Sequence, residues 1–353
     1  MRTRPVPGFV LVLVLAMLVV LSLLAGTVAA ITERLRDQAM QRRMQVQDEI
    51  DIASTRASVL YLLTTQVMTI GGLTVDNRIA VEREQRERLG QGYDFDGLPV
   101  GNEISLDGRA YKGLGATRFA LQDDRGLFFI SQPSLPSLER LLAQMPGKQE
   151  LPPAVLFDRL MDYQDEDDLH RLNSMEKDGY LRAGLPPPTN LPLVTPLEVM
   201  RIPGWRQALG GIDSARLNDT ISTAYGGLLN VNTAPAQVLR TLEGVDAGLS
   251  ERAIARRKLQ PFLNEAEFYQ YLGLSAQPES GVTVYPSTSG TLTFWSARGG
   301  QARLLHWTLT PVEDKARPWR EDYELIHSQP RPVDELALTV ASRLFAKPVV
   351  SRD

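Results

Sequence analysis

The chain opens MRTRPVPGFVLVLVLAMLVVLSLLAGTVAAITER, Met1–Arg34, and the reading of this stretch decides the rest. Arg2 and Arg4 come first, then Pro7-Gly8-Phe9, and no charged residue follows until Glu33. At a rise of about 1.5 Å per residue, the uncharged run from Val10 to Ile31 spans roughly 33 Å, the thickness of a bilayer's hydrocarbon core. The arginines precede it, and the charges just beyond (Glu33, Arg34, Arg36, Asp37) cancel. The positive-inside rule therefore keeps the N-terminus cytoplasmic and places the remainder across the membrane. A removable secretory signal would be cut near Val28-Ala29-Ala30, but its apolar core would exceed the usual span of about 7–15 residues.

Outward from the membrane, the segment from Glu33 to about Val67 is charged and helix-favouring. Ala53, Ala57, Leu60, Thr64 and Val67 draw one stripe at helical spacing, widened by Ile52, Val59 and Leu63. Gly71-Gly72 supplies a stop. Beyond it, Phe119–Gln122 and Leu127–Ile130 read as two strands joined by a turn at Asp123-Asp124-Arg125-Gly126. Helices follow, with apolar-periodic runs at Leu138–Met145 and Ala154–Met161. Thr195-Pro196-Leu197-Glu198 opens another with capping-box chemistry. Strands return at Val282–Tyr285, Thr291–Trp295 and Leu304–Leu309, with a turn at Ala297–Gly300 between the last two. The order strands, helices, strands describes an α+β chain in which a helical block interrupts a small sheet. The amphipathic stretch near Val333–Phe345 has no assigned place.

Composition narrows the function. The 353 residues contain no cysteine, which excludes disulfides, thiol chemistry and Cys-based zinc sites. A net charge of −4 is not a nucleic-acid binder's balance. The three histidines, His170, His306 and His327, sit in no zinc-protease, nucleophile-elbow or P-loop context, so no catalysis is expected. The 43% hydrophobic content supports one or two real cores.

The most specific phrase is Leu229-Asn230-Val231-Asn232-Thr233-Ala234-Pro235-Ala236-Gln237-Val238-Leu239. Asn232 or Thr233 can cap a helix, and Pro235 suits its first turn. Leu242-Glu243-Gly244-Val245 then turns the chain into a second helix bearing Leu249, Ala253 and Ile254, and Asn264 to Glu267 caps a third. This resembles the helix-hairpin-helix repeat. DNA-binding versions need Gly-hydrophobic-Gly so that bare backbone N–H groups approach a phosphate. Here Asp246 stands at the second glycine position and Glu243 where Pro is usual, which argues for a protein-packing module. Arg252, Arg256, Arg257 and Lys258 leave a membrane-anchored periplasmic helix-hairpin-helix DNA-binding receptor as the alternative.

Two resemblances meet in this chain. The basic leader ending at Gly8-Phe9 before a long apolar helix resembles the type IV prepilin class, whose leader is cut between Gly and Phe. Counting from Phe9, the fifth mature residue is Leu13, where most pilins carry Glu. The ordered series Leu160–Asp168, Glu176–Tyr180, Leu185–Pro188, Thr195–Gly204 and Asn230–Leu242 resembles the K-type minor pseudopilin of type II secretion systems, with Tyr163 in place of the usual Trp. The resemblance implies a pilin-like small antiparallel sheet interrupted by a large helical insertion with helix-hairpin-helix-like repeats. The expected divisions are leader 1–8, transmembrane helix 9–31, amphipathic continuation 32–70, sheet domain 71–133 with 280–330, insertion 134–279 and tail 331–353. It further implies cleavage by prepilin peptidase and N-methylation of the new end. The localisation would be the bacterial inner membrane, with the bulk periplasmic. Partners would be the I- and J-type minor pseudopilins and the inner-membrane secretion platform, with no nucleic acid.

Carboxylates at Asp162, Asp165, Asp167, Asp168, Glu176 and Asp178 are dense enough to hold a hard divalent cation, without EF-hand spacing. A solvated acidic turn accounts for the same run. K-type pseudopilins bind calcium in their helical domain, and on that resemblance the expected ligands are Asp165, Asp167, Glu176 and Asp178.

Overall fold

The computed structural model describes residues 8–88, 97–224, 227–275, 281–311, 317–328 and 338–345. The leader before Gly8 lies outside them, so the processing junction is met only at its edge, where Gly8 is the first helical residue. The chain divides into two compact units, Met1–Asp51 and Ile52–Asp353.

Helix α1 (Gly8–Thr65) supplies all the described structure of the first unit. Its side chains from Val10 to Ile31 are exposed, Val10 at 63% and Leu23 at 65%. Among the described residues one helix is long and apolar enough to cross a membrane, and this is it. Apolar exposure on this scale is costly in water and matched by lipid.

In chain order the second unit continues with β1 (Met68–Thr69), β2 (Gly72–Leu73), α2 (Arg78–Arg88), β3 (Asp107–Lys112), β4 (Thr117–Asp123) and β5 (Phe128–Phe129). The helices α3 (Leu135–Leu142), α4 (Pro153–Gln164), α5 (Lys177–Arg182), α6 (Trp205–Leu209) and α7 (Ser214–Asn218) follow. Then come β6 (Ile221–Ser222), β7 (Leu229–Asn230), α8 (Ala236–Leu239), α9 (Ala247–Leu259), α10 (Glu265–Leu272) and β8 (Val282–Thr283). The last strands among the described residues are β9 (Ser289–Ser296), β10 (Gln301–Leu309), β11 (Trp319–Ser328) and β12 (Leu338–Thr339). The fold class is α+β.

The main sheet has six strands in the order β11-β10-β9-β4-β3-β12. It is antiparallel except where β12 runs parallel to β3 at Tyr111 and Lys112. Of the unplaced tail only residues 338–345 are among the described residues, and these pack on the sheet: β12 adds an edge strand, Val340 is buried, and Phe345 stacks on Phe119 at 5.5 Å. Expected strands 291–295 and 304–309 lie in β9 and β10, paired from Arg303–Phe294 to Thr308–Ser289.

The sheet packs on the last turns of α1. The buried stripe there is Ile52, Thr55, Val59, Leu62 and Leu63, with Leu60 at its border; Ala53 and Ala57 face solvent. The buried face is therefore turned about the helix axis from the stripe that Ala53 and Ala57 open. A methyl contributes little apolar area, and the large side chains, worth about 1.5–3 kcal/mol each when fully buried, set the rotation. Thr55 marks the closest approach: its hydroxyl accepts from Leu114 N at 3.0 Å, and a Cβ on Gly113 would lie 2.6 Å from its methyl. Arg56 reaches Glu321 of β11 at 2.5 Å. Helix α1 ends at Thr65, before Gly71-Gly72; Gly71 lies in the turn between β1 and β2, and Gly72, at φ +133°, opens β2 opposite Thr69.

The pair of strands expected around Asp123–Gly126 is not a hairpin. β4 ends in a 3₁₀ turn over Asp124–Gly126, and β5 leaves the sheet to run parallel with β6. β8 likewise pairs with β7, outside the main sheet. A second core fills the helical block around Trp205, Tyr163, Tyr180, Phe262 and Phe268, and it also takes in Phe128, Ile130, Val282 and Val284. Trp205 donates its indole N–H to Leu156 O at 3.0 Å, so this buried polar atom is satisfied.

Candidate functional site

Helix α4 buries Leu156, Leu160 and Tyr163, and its last turn carries Asp162 inward with them, fully buried. Asp165 caps the helix, and the chain loops back to Glu176, the residue before α5, which is 2% exposed. One oxygen from each of Asp162, Asp165 and Glu176 lies within 4.8 Å of the others. Arg171 enters from the loop. Its Nη1 donates to Asp162 Oδ1 and, at 2.9 Å, to Asp165 Oδ2, while its backbone N donates to Asp162 Oδ2 at 2.8 Å. Asp165 Oδ1 and both oxygens of Glu176 are buried without a hydrogen-bond partner. Burial, with the charges of Asp162 and Asp165 behind it, pushes the Glu176 carboxyl up to about 7.

Of the four expected ligands, the fold brings Asp165 and Glu176 together. Asp167 and Asp178 are exposed and outside the group, Asp167 accepting from Leu169 N at 2.8 Å. Asp162 takes their place. The signal for it was a carboxylate inside the apolar phrase Leu160-Met161-Asp162-Tyr163, on the helix's inward face. The donor set fits a hard cation: three convergent carboxylates, half of their oxygens orphaned, in a place where an uncompensated charge is expensive.

The phrase from Leu229 to Leu239 does not cap with Asn232 or Thr233, since the N-cap of α8 is Pro235. Both side chains turn inward. Asn232 accepts from Phe262 N and donates to Phe262 O, each at 2.9 Å, which ties α8 to the start of α10. Asn230 and Thr233 donate to Asp123 Oδ2 at 2.8 and 2.9 Å. Asp123 also accepts from Ser287 N at 2.8 Å. Burial raises it to about 6, against the opposing effect of those bonds. Its neighbour Asp124 accepts from Ser222 at 3.0 Å and Ser289 at 2.5 Å, and bonds His306 Nε2 at 2.9 Å. The other ring nitrogen, Nδ1, meets Asp322 at 2.8 Å. Burial opposes the imidazolium, but the Asp124 charge and the bonds to Asp124 and Asp322 outweigh it and raise His306 to about 9. His306 is thus a structural cation between two carboxylates. The same bonds, with those from Thr308 and Arg320, overcome burial to hold Asp322 well below the usual range.

At the hairpin, Asp246 is the N-cap of α9, and its carboxylate accepts from Leu249 N at 2.8 Å. The three arginines of the Arg252–Lys258 cluster also work internally. Arg256 pairs with Glu267 at 2.7 Å. Arg257 is buried and donates to Val231 O and Ala234 O at 2.8 and 2.6 Å. Arg252 donates to Tyr271 O at 3.3 Å.

The family model "Type II secretion system (T2SS), protein K" matches residues 229–287, which hold the Leu229–Leu239 phrase and helices α8 to α10. No curated protein matches the chain. Among solved structures, it is similar to a chain of the GspK-GspI-GspJ complex from the type 2 secretion system of enterotoxigenic Escherichia coli. That likeness has 13% identity and a TM-score of 0.42, covering 84% of this chain and 100% of the other.

Proposed function

We propose that this chain is a K-type minor pseudopilin of a type II secretion system. The observation that carries this reading is the family match over residues 229–287, on the segment whose Asn-Val-Asn-Thr phrase already pointed there. The chain would be cut between Gly8 and Phe9 by prepilin peptidase and methylated at the new end. The long exposed apolar part of α1 would hold it in the inner membrane, with the rest periplasmic. It would join the I- and J-type minor pseudopilins at the tip of the pseudopilus, above the inner-membrane platform, and so support export across the outer membrane. Leu13 agrees with a terminal position: it offers no carboxylate to neutralise the N-terminal amine of a subunit stacked beyond it. Calcium would be the cofactor, held by Asp162, Asp165 and Glu176.

The test is the mass of the N-terminal peptide of membrane-extracted protein. A chain starting at N-methylated Phe9 and co-purifying with I- and J-type subunits is the expected result. A start at Met1 would mean a plain anchor and would remove the pilin reading; a start at Ile31 would mean release from the membrane.

A further inference from the structure

Arg171 is placed where a cation would act. Its guanidinium covers one oxygen of Asp162 and one of Asp165, yet Asp165 Oδ1 and both Glu176 oxygens stay bare. A guanidinium is planar, with donors in a fixed fork, and here it serves two of the three carboxylates. A spherical cation that takes six to eight oxygens can serve all three. Three carboxylates against one guanidinium also leave an excess of negative charge around Glu176, which is 2% exposed. The Arg171 side chain is 42% exposed and has a route to solvent. Its backbone N is pinned to Asp162 Oδ2, so the side chain can leave without the loop coming undone.

We infer that Arg171 is a built-in competitor for the cation site: it bridges Asp162 and Asp165 when no cation is bound, and a divalent ion must displace its side chain to gather Asp162, Asp165 and Glu176. This rests on the calcium reading above and adds to it the element that sets affinity. Holding the loop with a resident guanidinium keeps its shape before an ion arrives, at the expense of weaker binding. The arginine thereby makes ion binding a response to concentration, where a bare carboxylate cage would stay loaded.

The experiment is calcium titration of the full chain in detergent by isothermal titration calorimetry, alongside Arg171→Gln, Arg171→Lys and Glu176→Gln. Hydrogen exchange over residues 163–176 is followed in chelator and in calcium. Loss of charge-assisted bonds to two carboxylates should tighten calcium binding by at least about tenfold in Arg171→Gln. Arg171→Lys, which keeps a charge on a shorter side chain with less reach to both carboxylates, should fall between that variant and the wild type. In chelator the loop of Arg171→Gln should exchange faster than wild type, and calcium should restore it. Calcium binding that is equal or weaker in Arg171→Gln would overturn the inference and leave the site intact. Absence of binding in both, or binding unaffected by Glu176→Gln, would overturn the site reading and the inference with it.

Discussion

The buried cation at His306 makes stability depend on pH in a defined window. The imidazole is 5% exposed, bonded at both nitrogens to carboxylates and raised to about 9. A raised histidine contributes stability that is fully present below its unfolded value, near 6.5, and is lost as pH rises through the folded one. The full contribution is about 3 kcal/mol, of which about 2 kcal/mol disappears between pH 7 and 9. The window is clean. Asp123 and Asp219, pushed up by burial to about 6, and Glu176, to about 7, exert most of their effect below it. Arg257, lowered by burial to about 10, acts above it, and burial sends Tyr323, stacked on the ring at 4.9 Å, higher still. Urea unfolding of the detergent-solubilised chain, followed by tryptophan fluorescence at pH 7, 8 and 9, should show the loss. His306→Gln should be less stable at pH 7 by about 3–5 kcal/mol, because Asp124 is left buried with its charge uncompensated. The variant should also show no decline from pH 7 to 9. A wild-type stability flat within about 0.5 kcal/mol over this range, or a variant that keeps the wild-type slope, would refute the assignment of a buried imidazolium.

Four further outcomes follow from the geometry. Arg257→Met should cost about 3 kcal/mol, since Val231 O and Ala234 O, both served by its Nη1, lose their charged donor in a buried place; an unchanged urea midpoint would contradict that. Gly72→Ala should cost more than about 3 kcal/mol, because the added Cβ would lie 2.2 Å from Ile104 O. Gly101→Ala, with φ at +86° but open space around it, should cost only about 1 kcal/mol by urea unfolding, and equal effects would refute the distinction. Glu176→Gln should raise stability in chelator by about 1–3 kcal/mol while abolishing stabilisation by calcium; a fall in chelator would mean that the carboxylate is not an orphan. Fluorescence anisotropy with duplex DNA at low salt should show no salt-sensitive binding, and a clear salt slope would restore the DNA-receptor reading.

What the sequence revealed followed the range of the interactions. The anchor is legible because an uncharged run from Val10 to Ile31 has few physical solutions, and β9 and β10 because Ala297–Gly300 announces their turn. The stripe on α1 was found but rotated: alanines were counted equally with leucines, whereas the sheet selects by volume. The acidic site was half legible. Carboxylate density is local, but which carboxylates converge depends on how the loop from α4 returns to α5, and no spacing rule encodes that closure. Asp123-Asp124 reads in the sequence only as part of a turn between strands, because its partners, Asn230, Thr233, Ser289 and His306, lie more than a hundred residues away.

Those distant partners explain what the Asn-Val-Asn-Thr phrase does here. In a helix-hairpin-helix that grips DNA, backbone N–H groups at the hairpin stay bare and arginines face outward. In this chain the same chemistry is consumed internally. Asp246 already holds Leu249 N, so a phosphate would have to compete with a carboxylate for it. Arg257 would have to abandon two carbonyls, and Arg256 its pairing with Glu267, at about 1.5–3 kcal/mol for each charge-assisted bond. Asn230 and Thr233 are committed to Asp123, which is held in turn by Ser287 next to β9. The phrase therefore works as a joint between the helical block and the sheet: a buried carboxylate on β4 is satisfied from both sides. Buried polar networks of this kind are costly when half satisfied, so the joint favours one arrangement over sliding alternatives. That rigidity would hinder a module that must open for a phosphate backbone, and it agrees with one that packs.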